Sequence, residues 1–216
     1  MRFLGGAVFL FYDDAAASAD GNIFAINNDS GLSAFRYPMM VDSQLNLVSQ
    51  LGIGPLFSTT NMPGMALQDT GSSLYSSTNW GVDIIDVHHG QLAERILLNE
   101  RGGVHLSGSI AVDETGQRIF FITNSGLTVV DLDSVPLSIG SVAPTQAGIG
   151  NTVTIRGSGF QVGTTVSFGS TTATVTFVDP NTLQVAVPSI SSGSVPIKLS
   201  SPKGDSYELE GVFKVQ

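Results

Sequence analysis

Three sets of side chains in this sequence could do chemistry, and their spacing limits what each can do. His88 and His89 are adjacent, and His105 is the third histidine. Neighbours on a strand point to opposite faces, so the pair cannot hold one metal without a bulge. No regular histidine spacing completes a zinc site. Asp69, Asp113 and Glu114 stand beside turn glycines. A calcium loop needs several closely spaced acids, whereas these stretches have one or two each, which suits carboxylates that bond their own turn. Asp83, Asp86, Asp131 and Asp133 lie on or beside strand-like runs. The Gly157-Ser158-Gly159 stretch lacks the spacing of a nucleophile elbow. Phosphate loops and dinucleotide fingerprints are absent, so neither a catalytic residue, a metal nor a cofactor is assigned. The remaining candidate is Trp80, the only tryptophan, expected at the tip of a hairpin with Tyr75 and Asp83 on its strands. An exposed aromatic there could stack on a sugar or anchor a protein partner, and equally could pack on a neighbouring sheet.

Composition narrows the setting. The 216 residues include 25 glycines, 12% charged residues and no cysteine. Disulfides, thiolate metal sites and thiol nucleophiles are therefore excluded. Residues 1–140 hold 5 arginines and no lysine against 14 acids, a balance of −9, whereas residues 141–216 balance to zero. Phosphate backbones are bound by clustered Lys and Arg, so the acidic part argues against nucleic acid and anionic membrane, and the neutral part against DNA recognition. No apolar run approaches the ~20 residues of a spanning helix. Arg2, the apolar Phe3–Tyr12 and Ala17-Ser18-Ala19 fit a secretory leader. The same residues also fit a buried strand at Val8–Phe11 followed by the opening of a repeat.

The elements that would position these side chains repeat. Ala66–Val87 aligns with Ala111–Leu132 at a constant offset of 45 residues, with seven of 22 positions identical, among them Gly71/Gly116, Asn79/Asn124, Gly81/Gly126 and Asp86/Asp131. A weaker third copy, Ala16–Tyr37, aligns Asp20-Gly21 with Thr70-Gly71, Ile23-Phe24 with Leu74-Tyr75 and Asn28 with Asn79, given a small deletion and insertion. Each copy reads strand, turn, strand, turn, strand, with glycine and Asn-x-Gly at the turns, and Leu92–Leu98 adds a fourth strand to the middle copy. Four strands in about 45 residues is the period of a β-propeller blade. Tyr75–Asn79, Phe120–Asn124 and the strands Val82–Val87 and Leu127–Leu132 resemble bacterial YVTN-type propeller repeats. The resemblance implies blades near residues 8–50, 51–100 and 101–133. Propellers close with about 4 to 8 blades. The expectation is therefore a partial propeller over residues 1–136, part of a longer protein or completed by another chain, with side chains such as Phe9, Phe11 and Ile23 poorly covered.

Past Ser134-Val135-Pro136 the pattern changes. Val153 and Ile155 alternate with Thr152, Thr154 and Arg156, as on a half-buried strand. Gly157 and Gly159 frame Ser158 where the backbone needs φ > 0 or a close approach, and Phe160 follows. Val166 with Phe168, Ala173–Phe177, Leu183–Val187 and Val195, Ile197 and Leu199 continue the alternation, and Phe213 and Val215 end it. In this order, with its G-x-G-F turn, the segment resembles the IPT/TIG family over 137–216, implying an immunoglobulin-like β-sandwich. The fold expected for the chain is all-β throughout. Both resemblances imply a non-catalytic binding or structural module, extracellular or at the cell surface, with a protein or carbohydrate ligand. The alternative they imply is the accessory C-terminal region of a secreted polysaccharide-active or lyase-type enzyme.

Overall fold

The structure, a computed structural model, describes residues 11–29, 36–50, 64–78, 81–98, 110–123 and 126–216. Every regular element among them is a β-strand, and no helix there is long and apolar enough to cross a membrane. The chain divides into two units, Met1–Asp133 and Ser134–Gln216.

The first unit contains three antiparallel meanders. Sheet A runs β1 (Phe11–Ala17), β2 (Ile23–Asp29), β3 (Arg36–Asp42) and β4 (Leu47–Gln50) in order. Sheet B repeats this with β5 (Met65–Leu67), β6 (Ser73–Thr78), β7 (Gly81–Asp86) and β8 (Gln91–Leu97). Sheet C has β9 (Ile110–Val112), β10 (Arg118–Thr123) and β11 (Gly126–Asp131). The turn between the first two strands is the same in all three. Gly21, Gly71 and Gly116 have positive φ, and their amides donate to the carbonyls of Ser18, Gln68 and Asp113. A side chain is strained in that conformation, and glycine is not.

These ladders correct one register. The amide of Ser18 donates to Ile23 O as that of Gln68 donates to Ser73 O and that of Asp113 to Arg118 O. Ile23 therefore corresponds to Ser73, Phe24 to Leu74 and Ala25 to Tyr75, with no deletion. Apolar likeness had matched Ile23 with Leu74, but backbone bonds across the turn set the ladder, and a one-residue slip moves side chains to the wrong face.

The first strands of the meanders, β1, β5 and β9, are neighbours, and the sheets stack through apolar faces. Ala16, Ile23, Ala25 and Met40 of sheet A meet Met65, Leu67, Leu74, Ile85 and Val87 of sheet B. Ala66, Tyr75, Val82 and Ile84 on the other face of sheet B meet Ile110, Val112, Ile119, Phe121 and Val130 of sheet C. Because sheet B is sandwiched, β6 is buried at every position and β7 at all but its last. Ile23 is thus half-buried against a core, not left uncovered; Phe9 and the side chain of Phe11 lie outside the described residues. The poorly covered apolar face is instead on sheet C, where Leu127 is 67%, Val129 46% and Ile122 43% exposed.

The second unit is a two-sheet sandwich of β12 (Ser138–Ala143), β13 (Gln146–Ala147), β14 (Thr152–Ser158), β15 (Thr165–Phe168), β16 (Thr171–Thr172), β17 (Thr174–Asp179), β18 (Thr182–Ala186), β19 (Gly193–Ser200) and β20 (Ser206–Val215). One sheet has the order β12-β14-β18-β17 and the other β13-β20-β19-β15-β16, with β13 parallel to β20. The alternation read from the sequence is the burial alternation: Val153, Ile155, Leu183 and Val185 from one sheet interleave with Val166, Phe168, Ile197, Leu199, Phe213 and Val215 from the other. Phe168 and Phe213 meet edge to face, with ring centroids 5.0 Å apart, an arrangement favoured by the ring quadrupoles. The Gly157–Gly159 pair divides its two duties. Gly159 takes φ +71°, whereas a Cβ on Gly157 would stand 2.1 Å from Ser138 O and 2.7 Å from the Phe160 ring. The intervening Ser158 Oγ donates to Pro136 O at 2.9 Å.

Candidate functional site

The hairpin β6–β7 carries the residues that the sequence singled out. Its register places Tyr75 opposite Ile84 and Ser76 opposite Asp83. Trp80, at its tip, lies outside the described residues. Tyr75 and Asp83 are both internal, at 0% exposure, and each is engaged by a protein partner. The Tyr75 hydroxyl donates to Gly116 O at 2.8 Å, which ties sheet B to the first turn of sheet C. Burial, followed by the negative charges of Asp113 and Glu94, pushes the Tyr75 pKa far above the ordinary tyrosine value. Asp83 receives Arg95 Nε on one carboxylate oxygen at 2.7 Å and Nη2 on the other at 2.9 Å. The two residues are directly opposed on β7 and β8. This two-pronged bond raises the Arg95 pKa against a smaller opposing effect of burial. Of the three candidates for ligand contact, then, two face the interior and serve the repeat's own packing.

The other acids also bond their surroundings. Asp86 Oδ1 accepts the amides of His88 and His89, and its Oδ2 lies 2.8 Å from His89 Nδ1. The histidine pair thus follows β7 in a turn, not on a strand. Asp131, at the equivalent repeat position, instead accepts Arg118 Nε at 2.8 Å across the exposed face of sheet C. Asp113 accepts the amides of Gln117 and Arg118 and the Thr115 hydroxyl, the turn-bonding role expected of it. Asp42 does the same for the β3–β4 turn. It accepts the side chain and amide of Asn46 and the amide of Gln44, and these bonds, the Asn46 side chain first, lower its pKa. No cluster of three or more His, Asp or Glu suited to a metal occurs among the described residues; His105 is outside them.

Two structurally important positions escaped the reading of the sequence. Arg95 is one, although its pairing with Asp83 follows once the turn after Asp86 fixes the β7–β8 register. The other is the repeat position held by Ser18, Gln68 and Asp113. Ser18 Oγ receives the Ile23 amide, Gln68 Oε1 receives the Ser72 hydroxyl, and Asp113 receives turn amides. All three accept from the same turn with different chemistry, so residue identity concealed the equivalence. Gln68 Nε2 is buried without a hydrogen-bond partner, 3.0 Å from where a Cβ on Gly116 would stand.

Comparison with known proteins adds the following. Residues 137–215 match the IPT/TIG domain, and the C-terminal unit carries that domain. The chain is 37% identical over 110 residues to the cyclomaltodextrin glucanotransferase of Thermoanaerobacterium thermosulfurigenes, covering 48% of this chain and 15% of the enzyme. It is 39% identical over 84 residues to that of Geobacillus stearothermophilus, covering 38% of this chain and 12% of the enzyme. The chain thus spans less than a sixth of the length of these relatives. The crystal structure of gamma-CGTase from Alkalophilic bacillus clarkii aligns with 90% of this chain and 24% of its own, at 17% identity and a TM-score of 0.40.

Proposed function

We propose that this chain is a non-catalytic, glucan-binding accessory region that acts outside the cytoplasm. The observation that carries the reading is the sequence likeness to two glucan-transferring enzymes over a short portion of their length, together with an IPT/TIG domain at residues 137–215. A likeness confined to 15% of an enzyme's length supports an accessory region over the whole enzyme as the reading of this chain. Supporting it, the candidate acids of the hairpin and turns are engaged in holding the fold, as Asp83 is by Arg95 and Asp113 by its own turn. In the same reading the three meanders are blades of a propeller-type ring that further sheets complete. Support for this comes from the adjacency of β1, β5 and β9 and from the reuse of the same repeat positions at both sheet interfaces.

Retention of the full chain on granular starch, and its retardation in gels containing soluble starch or mixed-linkage glucan, tests this directly. Binding to at least one glucan is expected, and Trp80→Ala should weaken it if the tryptophan stacks on sugar, an interaction aromatic side chains favour. Absence of retention on every glucan, with turnover of one of them, would contradict the proposal.

A further inference from the structure

The chain leaves the first unit and enters the second with very little free length between. Leu132 closes the first unit. Its amide donates to Gln117 O at 2.9 Å, its carbonyl accepts Gln117 Nε2 at 3.2 Å, and its side chain lies in the core of sheets B and C. Asp133 and Ser134 are exposed. From Val135 onward the chain is already seated in the sandwich: Val135, Pro136 and Leu137 are half-buried, and Leu137 packs on the sandwich core.

What seats it is the Gly157–Phe160 turn. The β12–β14 ladder ends at the pair Ser138 and Ser158, and the turn carries the contact past that end. Buried Ser158 donates from Oγ to Pro136 O at 2.9 Å. Gly159 lies so close that a Cβ there would stand 2.5 Å from Val135 O and 2.8 Å from Pro136 O. The turn is in turn held by its neighbour between β17 and β18. The amides of Gly157 and Phe160 donate to Asn181 O at 3.0 Å and Pro180 O at 3.1 Å. Asn181 Nδ2 returns a bond to Gly157 O at 2.7 Å, and the Phe160 ring is fixed in the core.

We infer that this turn is a clasp, which holds Val135–Leu137 against the sandwich and so keeps the junction between the two units closed to proteases. A protease cuts a chain that enters its active site as an extended segment of several residues, and a segment bonded into a fold must first open. Here just the two exposed residues Asp133 and Ser134 separate one anchorage from the other. Cutting the junction therefore requires the clasp to open, and the rate of cutting follows the open population. The inference is independent of glucan binding.

The test is limited digestion of the full chain with proteinase K, the cut sites being read by mass spectrometry. Cleavage between residues 132 and 138 should be far slower than in the chain unfolded in urea. Ser158→Ala, which removes one bond of the clasp, should speed that cleavage about fivefold. Gly159→Ala, whose Cβ displaces the Val135 and Pro136 carbonyls, should speed it further. Gly169→Ala is the control. It strains the backbone in the same way, at φ +57°, but its Cβ meets nothing within 4 Å, so the junction should stay as resistant as in the wild type. Opening of the clasp speeds cutting at the junction alone, whereas loss of the whole unit speeds it throughout residues 138–216. If Gly159→Ala does not fold, Ser158→Ala decides. A wild-type junction cut as fast as in urea overturns the proposal, as does unchanged junction cleavage in Ser158→Ala. A rise that Gly169→Ala matches, or that spreads evenly over the sandwich, also overturns it.

Discussion

At the scale of single residues, the buried polar groups carry the sharpest consequences. Tyr75→Phe removes the hydroxyl that donates to Gly116 O and should lower stability by about 1 kcal/mol, measured by chemical unfolding. The same hydroxyl should make the protein sensitive to alkali. Its pKa in the folded state is raised above that of the unfolded chain, so its stabilising contribution is complete below about pH 10 and is lost as pH climbs beyond that. Of the 4 tyrosines, the phenolate band of Tyr75 should therefore emerge only with unfolding; ionisation before loss of structure would contradict this. Arg95→Met leaves the fully buried Asp83 carboxylate without its two donors. A loss of about 2 kcal/mol is expected, since bonds to charged groups are worth more than neutral ones, and Arg95→Lys should recover only part of it because lysine lacks the fork.

At the scale of elements, the legible parts were those where one side-chain pattern answers to one face. The sandwich strands alternate because two apolar faces meet, and β14 and β18 could be marked out from Val153, Ile155, Leu183 and Val185 alone. Phe168 and Phe213, separated by most of that unit in sequence yet in edge-to-face contact, could be listed as core but not paired, since nothing local encodes which strands become neighbours. Phe213→Ala should cost about 3–5 kcal/mol, as large buried aromatics do, and calorimetry of the full chain should show the loss. Sheets A to C were legible as a repeat because the turns recur. That Tyr75 and Asp83 are internal could not be read from the sequence, because a strand covered on both faces shows no alternation to mark its polar residues. The turn glycines divide in the same way. Gly116→Ala forces a Cβ to within 2.5 Å of the Tyr75 hydroxyl at φ +78°, whereas Gly126→Ala meets open space at φ +108°. The first should destabilise by more than the roughly 1–2 kcal/mol of backbone strain, and the second by no more than it; equal losses would show that the turn shifts to accommodate both.

At the scale of the whole molecule, sheet B packs, among the described residues, against both sheet A and sheet C, so the stability of the meanders should behave as a sum of sheet terms and interface terms. Sheet B has two interfaces, and the amides of β6 and β7 should exchange with deuterium more slowly than those of β2, β3, β10 or β11. Uniform protection across the three would mean that they open as one body. The coupling between Tyr75 and Gly116 has a further meaning for descent. The faces that meet between sheets B and C lie about one 45-residue repeat apart in sequence but are one joint in space. A gene that gains or loses whole repeats keeps every joint matched, while a substitution on one face is tolerated only with a reply from the next repeat. Among descendants of this chain, residue 75 should vary together with residues 116 and 119 more than with its own strand neighbours, and the number of repeats should change more freely than their contents.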